Sequence, residues 1–528
     1  MGFLRIALLA LAAPPLGAAS YDVILAGGRV FDGAGNPWFT ADVAIRDGRI
    51  AAIGNLSGDS AALRLDVRGL AVAPGFIDIH SHGDRGINET PTAENYLRQG
   101  VTTIFAGQDG GGGLPVAKTL AARASAPVSI NIGYFVGQGS IRSRVMGTEN
   151  RPATAEEIEA MKRLAEQAMR EGAFGLSTGL YYVPGAFTPV EEVIEMARVV
   201  GRLGGMHISH MRDEAGGILA SVRECIRIGE EGGLPTQLTH HKIIGAANWG
   251  LSAGTLRLVE EARARGVDVT IDQYPYTASS TGTAAMFPQW AQAGGRKAFL
   301  ERLDAPEQLA RIKAEIVRRI RDERGGGDPK NVVLASCAFD RSLDGKSLAD
   351  LCRERGLAPD IENAATVAVE IQRKGGCQAV YHAIGEADVE RIMASPFTMI
   401  ASDGGIPVFG DGVPHPRNYG AFARVLGRYV RERKVLTLET ALRKMSSMPA
   451  SRAGLFDRGV LRTGLAADIA VFDPGAVTDR ADFARPHQYA VGVKHVFVNG
   501  RPALLDGKVT PERPGRVLYG PAWRTDSR

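Results

Sequence analysis

The chain has 528 residues, 45% of them hydrophobic and 6% aromatic, with a formal net charge of +4 from 62 basic and 58 acidic side chains. That length and apolar content support a large core. The nearly balanced, interspersed charge excludes the basic footprint of a nucleic-acid or polyanion binder, and the low aromatic content offers no base-stacking platform.

The N-terminus reads as an address. Arg5 precedes an apolar stretch from Ile6 to Ala13, followed by Pro14, Pro15 and the small residues Gly17, Ala18, Ala19 and Ser20. This pattern describes a secretory signal at residues 1–19, cleaved near Ala18 or Ala19 and too short to span a bilayer. A periplasmic or secreted product is expected. No second long apolar run follows, so no stable membrane span is expected after cleavage. Short β runs come next, at 21–30, 42–45 and 49–53, separated by Gly and Asp turns. The far end answers with similar runs at 468–472 and 493–500. Residues 20–73 and 455–528 are therefore expected to build one small β-sandwich domain together.

Between these ends, over 74–454, strands and helices alternate. Strand ends fall near His82, Gly107, Tyr134, Thr178, His210, His240, Gln273 and Asp403, and helical patterns cover 154–171, 189–203 and 253–265. Eight strand–helix units predict an α/β fold, a parallel (β/α)8 TIM barrel. A charged, helix-rich insertion at about 287–357 contains Gly325, Gly326 and Gly327 as a break and separates the seventh and eighth strands. It reads as a lid or surface excursion beside the site.

The first barrel strand ends in His80-Ser81-His82. Alternate strand residues project to one side, so both imidazoles leave together as nitrogen ligands of the kind zinc prefers. A lone His-x-His is a weak signal. Here Asp109, His210, His240 and Asp403 follow at other apolar strand ends, where the catalytic groups of such barrels gather. Asp109 also suits a turn residue, because four glycines follow it at 110–113. His207 and His241 fall on the opposite strand faces and read as packing residues. Asp84 reads as a loop carboxylate, while His382 and His415 lie on loops that either approach the site or stay at the surface. Cys225, Cys337, Cys352 and Cys377 lack paired C-x-x-C spacing and read as buried small hydrophobes. An oxidising compartment permits a disulfide without naming the pair.

These residues resemble the amidohydrolase superfamily and, within it, the N-acyl-D-amino-acid deacylases or D-aminoacylases. The resemblance runs through GFIDIHSH (75–82), GVTTIFAG (100–107), SHMRDE (209–214), THHK (239–242), DQYPYTASST (272–281), SDGG (402–405), HPRNYGAFARVLG (415–427) and GLAADIAVFD (464–473). It implies His210 and His240 as tightly held metal ligands. It also implies His80, His82 and Asp403 as a second, weaker pocket, with Asp403 as the catalytic group. Lys242, Tyr274, Ser280 and Arg417 match positions that hold a substrate carboxylate. The implied cofactor is one or two Zn2+ ions.

The chain departs from the family pattern at the second strand, where the turn reads Gly107-Gln108-Asp109-Gly110 and an aspartate replaces the usual bridging cysteine. Carboxylate oxygen is a harder ligand than thiolate, which leaves the number and identity of the metals open. The fourth strand, FGLSTG (174–179), has no lysine to carry the carboxylated bridge of many relatives, so Asp109 remains as the bridge. The implied reaction is hydrolysis of an N-acyl-D-amino acid to a carboxylate and a free D-amino acid. Two alternatives stay open: a D-residue-specific dipeptidase acting on short D-peptides with the same machinery, and a catalytically silent periplasmic ligand-binding protein. No oligomeric state follows from the sequence.

Overall fold

A computed structural model describes residues 20–524, and the expected signal at 1–19 lies outside the described residues. Eight short strands follow one another around a parallel barrel: Phe76–Asp78, Val101–Ala106, Asn131–Tyr134, Gly175–Gly179, Met206–His210, Thr236–Leu238, Val269–Gln273 and Thr398–Ile400. Each is buried along its whole length, as expected of parallel strands covered on both faces. The third strand is continued by Val136–Gly137, which pairs with the fourth. The eighth returns to the first through a parallel bridge between His82 and Gly405. Backbone bonds from Asp403 N to His80 O (2.9 Å) and from His82 N to Gly404 O (2.7 Å) complete this closure.

The three patterned helices form as Ala155–Glu171, Val190–Arg202 and Ser252–Ala264. The first starts with a reciprocal cap, in which Thr154 and Glu157 satisfy each other's backbone N–H. Its buried stripe, Met161, Ala165, Ala168 and Met169, repeats at the helical period and joins the main core.

Both chain ends meet in one continuous nine-stranded sheet. Ala71–Pro74 from the front of the chain pairs antiparallel with Ile469–Phe472 from the back. Val23, Leu25, Val43 and Ile45 share a buried cluster with Ile469, Val471 and Phe497, so neither end has a complete core alone. Between the seventh and eighth barrel strands, Ser279–Gly282, Val332–Ser336 and Gln378–Tyr381 form an antiparallel sheet. The helices Gly295–Asp304, Pro306–Arg319, Leu348–Glu354 and Ile361–Arg373 cover it and share its apolar core. Two cysteines depart from the expected packing role: Cys337 and Cys377 form a disulfide. They flank neighbouring strands of this sheet, a juxtaposition made by pairing across 40 residues of sequence. Cys225 and Cys352 are buried and free, as expected. No helix among the described residues is long and apolar enough to cross a membrane.

Candidate active site

The C-terminal mouth of the barrel opens into a cavity of about 1140 Å3. The ladder bonds that close the barrel also assemble one side of this site, because they join His80 and His82 directly to the segment carrying Asp403. Asp109, on the turn after the second strand, is tied to the fourth strand through Ser177. The Ser177 hydroxyl donates to Gly107 O (2.6 Å) and accepts from Gly110 N (3.2 Å). Gly110 has φ +74°, and a Cβ there would lie 2.8 Å from Gly179 N, so the approach needs glycine. Asp109, His240 and Asp403 all have positive φ (55°, 36° and 51°). Such conformations are uncommon for non-glycine residues and cluster at functional sites. At His240 the strained backbone is held by a bond from its N–H to Asp272 Oδ1 (2.7 Å).

All six expected metal positions converge as two donor groups that share Asp109: His80, His82, Asp109 and Asp403, and Asp109, His210 and His240. In the first group, His82 Nε2 lies 3.2 Å from both Asp109 Oδ2 and Asp403 Oδ1, and His80 Nε2 lies 3.5 Å from Asp109 Oδ1 and from Asp403 Oδ1. In the second, His240 Nε2 is 3.5 Å from Asp109 Oδ1 and 2.7 Å from His210 Nδ1. Asp84 belongs to neither group.

Electrostatics favour a cation here. Burial opposes charge on Asp403, but Arg417, His80 and His82 outweigh it and hold the carboxyl well below its usual range. Burial likewise opposes charge on Asp109, which His80, His240 and His82 keep ionised. Burial disfavours a charged imidazole at His82, yet bonds to Asp109 and Asp403 lift its pKa to about 9. At His240, Glu214 and Asp109 overcome burial and Lys242 and lift the pKa to about 10. The negative charge that retains these protons favours a divalent cation by the same attraction. Burial pushes His210 down to about 3, which leaves it the neutral form that ligates metal.

The expected substrate-binding residues line the same cavity. Arg417 Nη1 donates to Asp403 Oδ2 at 2.6 Å, and Nη2 donates to Ser280 O at 3.3 Å. The Ser280 contact is therefore made by backbone. Tyr274 is buried, and its hydroxyl has no hydrogen-bond partner among the described residues. Its ring lies under two cations, Arg417 at 5.0 Å and Lys242 at 5.6 Å. Lys242 Nζ is committed to Glu214 Oε1, to His240 Nδ1 (2.8 Å) and to His240 O (2.8 Å).

Of the other histidines, His207 lies between the hydroxyls of Thr178 (2.9 Å) and Thr236 (2.8 Å), and His241 bonds Thr255 (2.8 Å), each away from the donor groups. His382 packs on Phe483. His415 is buried rather than superficial. Its Nε2 donates to Ala278 O (3.0 Å) and its Nδ1 accepts from Arg417 N (3.0 Å), so it anchors the start of the helix Arg417–Arg424. Two carboxylates escaped the sequence reading. Glu214 lies 3.1 Å from His240 Nδ1 and pairs with Lys242, while Asp272 supports the His240 backbone. Glu214 stands within the SHMRDE motif, four residues after His210, and that spacing was the one available signal.

Comparison with known proteins agrees with this fold. The model of the amidohydrolase family matches residues 65–504. The D-aminoacylase of Alcaligenes xylosoxydans xylosoxydans is 38% identical over 521 residues, which cover 94% of this chain and 97% of that protein. The N-acyl-D-glutamate deacylase of the same bacterium is 38% identical over 519 residues, covering 94% and 96%. The crystal structure of an N-acyl-D-glutamate deacylase from Bordetella bronchiseptica, complexed with zinc and a phosphonate inhibitor, superposes with a TM-score of 0.81 at 35% identity. That match covers 95% of this chain and 100% of the other. The chain belongs to the amidohydrolase family and, within it, to the D-aminoacylases.

Proposed function

We propose that the protein is a zinc-dependent deacylase that hydrolyses N-acyl-D-amino acids to a carboxylate and a free D-amino acid. The observation that carries this reading is the meeting of two donor groups on Asp109, with Asp403 joining one of them to Arg417. The names of the relatives support the substrate class. The donor atoms fit zinc: among the described residues, His80 Nε2 and Asp109 Oδ1, which face each other across the site, are buried without a hydrogen-bond partner. Buried polar atoms left this way are rare unless a ligand satisfies them, and imidazole nitrogen with carboxylate oxygen is a usual zinc set. His210, His240 and Asp109 would hold one ion. His80, His82 and Asp403, sharing Asp109, would hold a second. When bound, zinc supplies a Lewis acid that polarises an acyl carbonyl and lowers the pKa of water toward neutrality.

The chain's own groups supply the proton transfers and the binding. Asp403, kept ionised, accepts a proton from the water that attacks the carbonyl carbon. It then returns that proton to the amide nitrogen as the C–N bond breaks, which releases the amine. Arg417 holds Asp403 in place through Nη1. A guanidinium offers paired donors that fit a carboxylate, so Arg417 is also placed to receive the substrate carboxylate beside the base. The free Tyr274 hydroxyl donates at the same pole. Lys242 acts through Glu214 and His240, fixing the ring orientation of that ligand.

Export to the periplasm or beyond is part of the proposal. The signal-like pattern at 1–19 supports it, and so does the Cys337–Cys377 disulfide, because such bonds persist in oxidising compartments. The test is a panel of N-acetyl-D-amino acids, their L-enantiomers and L-Xaa-D-Xaa dipeptides with zinc-loaded protein. Turnover of the D-acyl compounds above both other classes is expected. Preferred cleavage of dipeptides, or no turnover of any compound, would overturn the reading.

A further inference from the structure

The helix Pro306–Arg319 runs into a widened π-helical turn, Ile320–Arg324, beside the cavity. Its basic side chains have separate fates. Arg318 pairs with Glu315 (2.6 Å) and Glu323 (2.7 Å), and Arg321 with Asp322 (2.9 Å). Arg319 pairs with Glu315 (3.5 Å) and donates to the carbonyls of Ala285 and Phe287. These contacts use the neighbouring acids and leave none for Arg324. Arg324 is 4% exposed and, among the described residues, forms no ion pair. Its Nε donates to Tyr181 Oη at 3.3 Å, and its guanidinium lies over the rings of Tyr181 (4.7 Å) and Tyr381 (5.3 Å). Aromatic faces attract a cation but do not neutralise it, and a buried charge is ordinarily paired. Arg324 lines the same cavity as the donor groups.

The strand Ser279–Gly282 relates this cation to the carboxylate pole. Arg417 binds Ser280 O, the Tyr182 hydroxyl meets Thr281 Oγ1 (3.1 Å), and the Tyr381 hydroxyl donates to Gly282 O (3.3 Å). Tyr182 in turn packs on His210, ring to ring at 4.6 Å. The anchor points of Arg417 and of the Tyr381 platform are two residues apart, about 6.6 Å along a strand. Arg417 and Arg324 thus line one cavity, each linked to the same short strand, Arg417 directly and Arg324 through Tyr381.

We propose that Arg324 is a second anion subsite, which takes an additional carboxylate carried by the substrate and makes dicarboxylic N-acyl-D-amino acids the preferred class. The inference rests on the deacylase reading above. The second carboxylate has two possible sources, an acidic D side chain or an acidic acyl group.

The test uses zinc-loaded protein and two acid–amide pairs: N-acetyl-D-glutamate with N-acetyl-D-glutamine, and N-succinyl-D-leucine with its succinamoyl analogue. A charge-assisted bond to a buried guanidinium predicts that kcat/KM for the acid exceeds that for its amide by roughly tenfold to a hundredfold in one pair. The pair that shows the gap identifies the source. Arg324→Met is expected to erase the gap while leaving the amide within about threefold of wild type, and Arg324→Lys to restore part of it. Absence of a gap in both wild-type pairs would overturn the proposal without any variant, even if Arg324→Met fails to fold. A gap that survives Arg324→Met, or an equal loss on acid and amide, would overturn it as well. If none of the four compounds is hydrolysed, the deacylase reading fails. Calorimetric titration of the same compounds into wild-type protein then decides the subsite separately, with tighter binding of an acid than its amide expected and equal binding refuting it.

Discussion

Replacing Asp403 with Asn separates the chemistry of the site from its architecture. The side chain has two faces: Oδ1 lies 3.2 Å and 3.5 Å from the Nε2 atoms of His82 and His80, and Oδ2 accepts from Arg417 at 2.6 Å. In Asp403→Asn the amide oxygen can still accept from Arg417, so the fold and the His210–His240–Asp109 group are expected to persist. The charge is lost, and hydrogen bonds to charged groups are worth about 1.5–3 kcal/mol, which bounds the expected loss of stability. Turnover suffers more, because an amide cannot take the proton from water. General acid–base assistance of about 10²–10⁴-fold corresponds to about 2.7–5.4 kcal/mol of barrier. The assay is kcat on an N-acetyl-D-amino acid, with zinc content and a thermal melt measured on the same preparation. A variant that keeps its metal and melts cooperatively but retains kcat within about tenfold of wild type would refute the role of Asp403 as base.

Arg417→Ala removes both the partner of Asp403 and the proposed carboxylate fork, so kcat and KM are both expected to worsen, and Arg417→Lys to recover only part of the loss. A change confined to KM would show that the Asp403 contact does not matter to the chemistry. His210→Ala and His240→Ala are each expected to lose the tightly held zinc and activity together, since each removes one of few ligands; full zinc content in both would reassign the site. Glu214→Gln is expected to weaken zinc affinity by about 10–100-fold, the usual cost of losing a group that orients a ligand, and unchanged affinity would leave Glu214 without that role. Zinc uptake is expected to release protons. Below about pH 9 the metal-free site holds protons on His82, and below about pH 10 on His240, so zinc must displace them and affinity rises with pH toward those values. Calorimetry in buffers of different ionisation enthalpy checks this, and a pH-independent affinity from 6.5 to 8.5 would contradict it.

Much of the fold was legible because its signals are local. Apolar strand ends, helical periodicity and the Thr154–Glu157 cap lie within short windows of sequence. The six donor positions were legible for the same reason, since each sits at or just beyond a strand end. What stayed hidden depends on tertiary pairing. Glu214 looks like an ordinary acid after a strand until the fold places it against His240 and Lys242. The pairing of Arg417 with Asp403 requires a loop of known path to carry the helix Arg417–Arg424 back over the barrel mouth. In RRIRDER (318–324) every arginine reads alike, and only the packed structure shows that the acids are taken by the others and that Arg324 has no acidic partner among the described residues. Cys337 and Cys377 likewise carry no spacing signal, because strand pairing across 40 residues brings them together.

The most direct test of the central claim is kcat/KM for an N-acetyl-D-amino acid and for its L-enantiomer, measured on metal-free protein before and after zinc is restored. A D-selective deacylase built on these donor groups is expected to be silent without metal and to regain hydrolysis of the D-compound in proportion to zinc bound, with the L-compound turned over far more slowly. Equal turnover of both enantiomers, or activity that does not depend on zinc, would contradict the account.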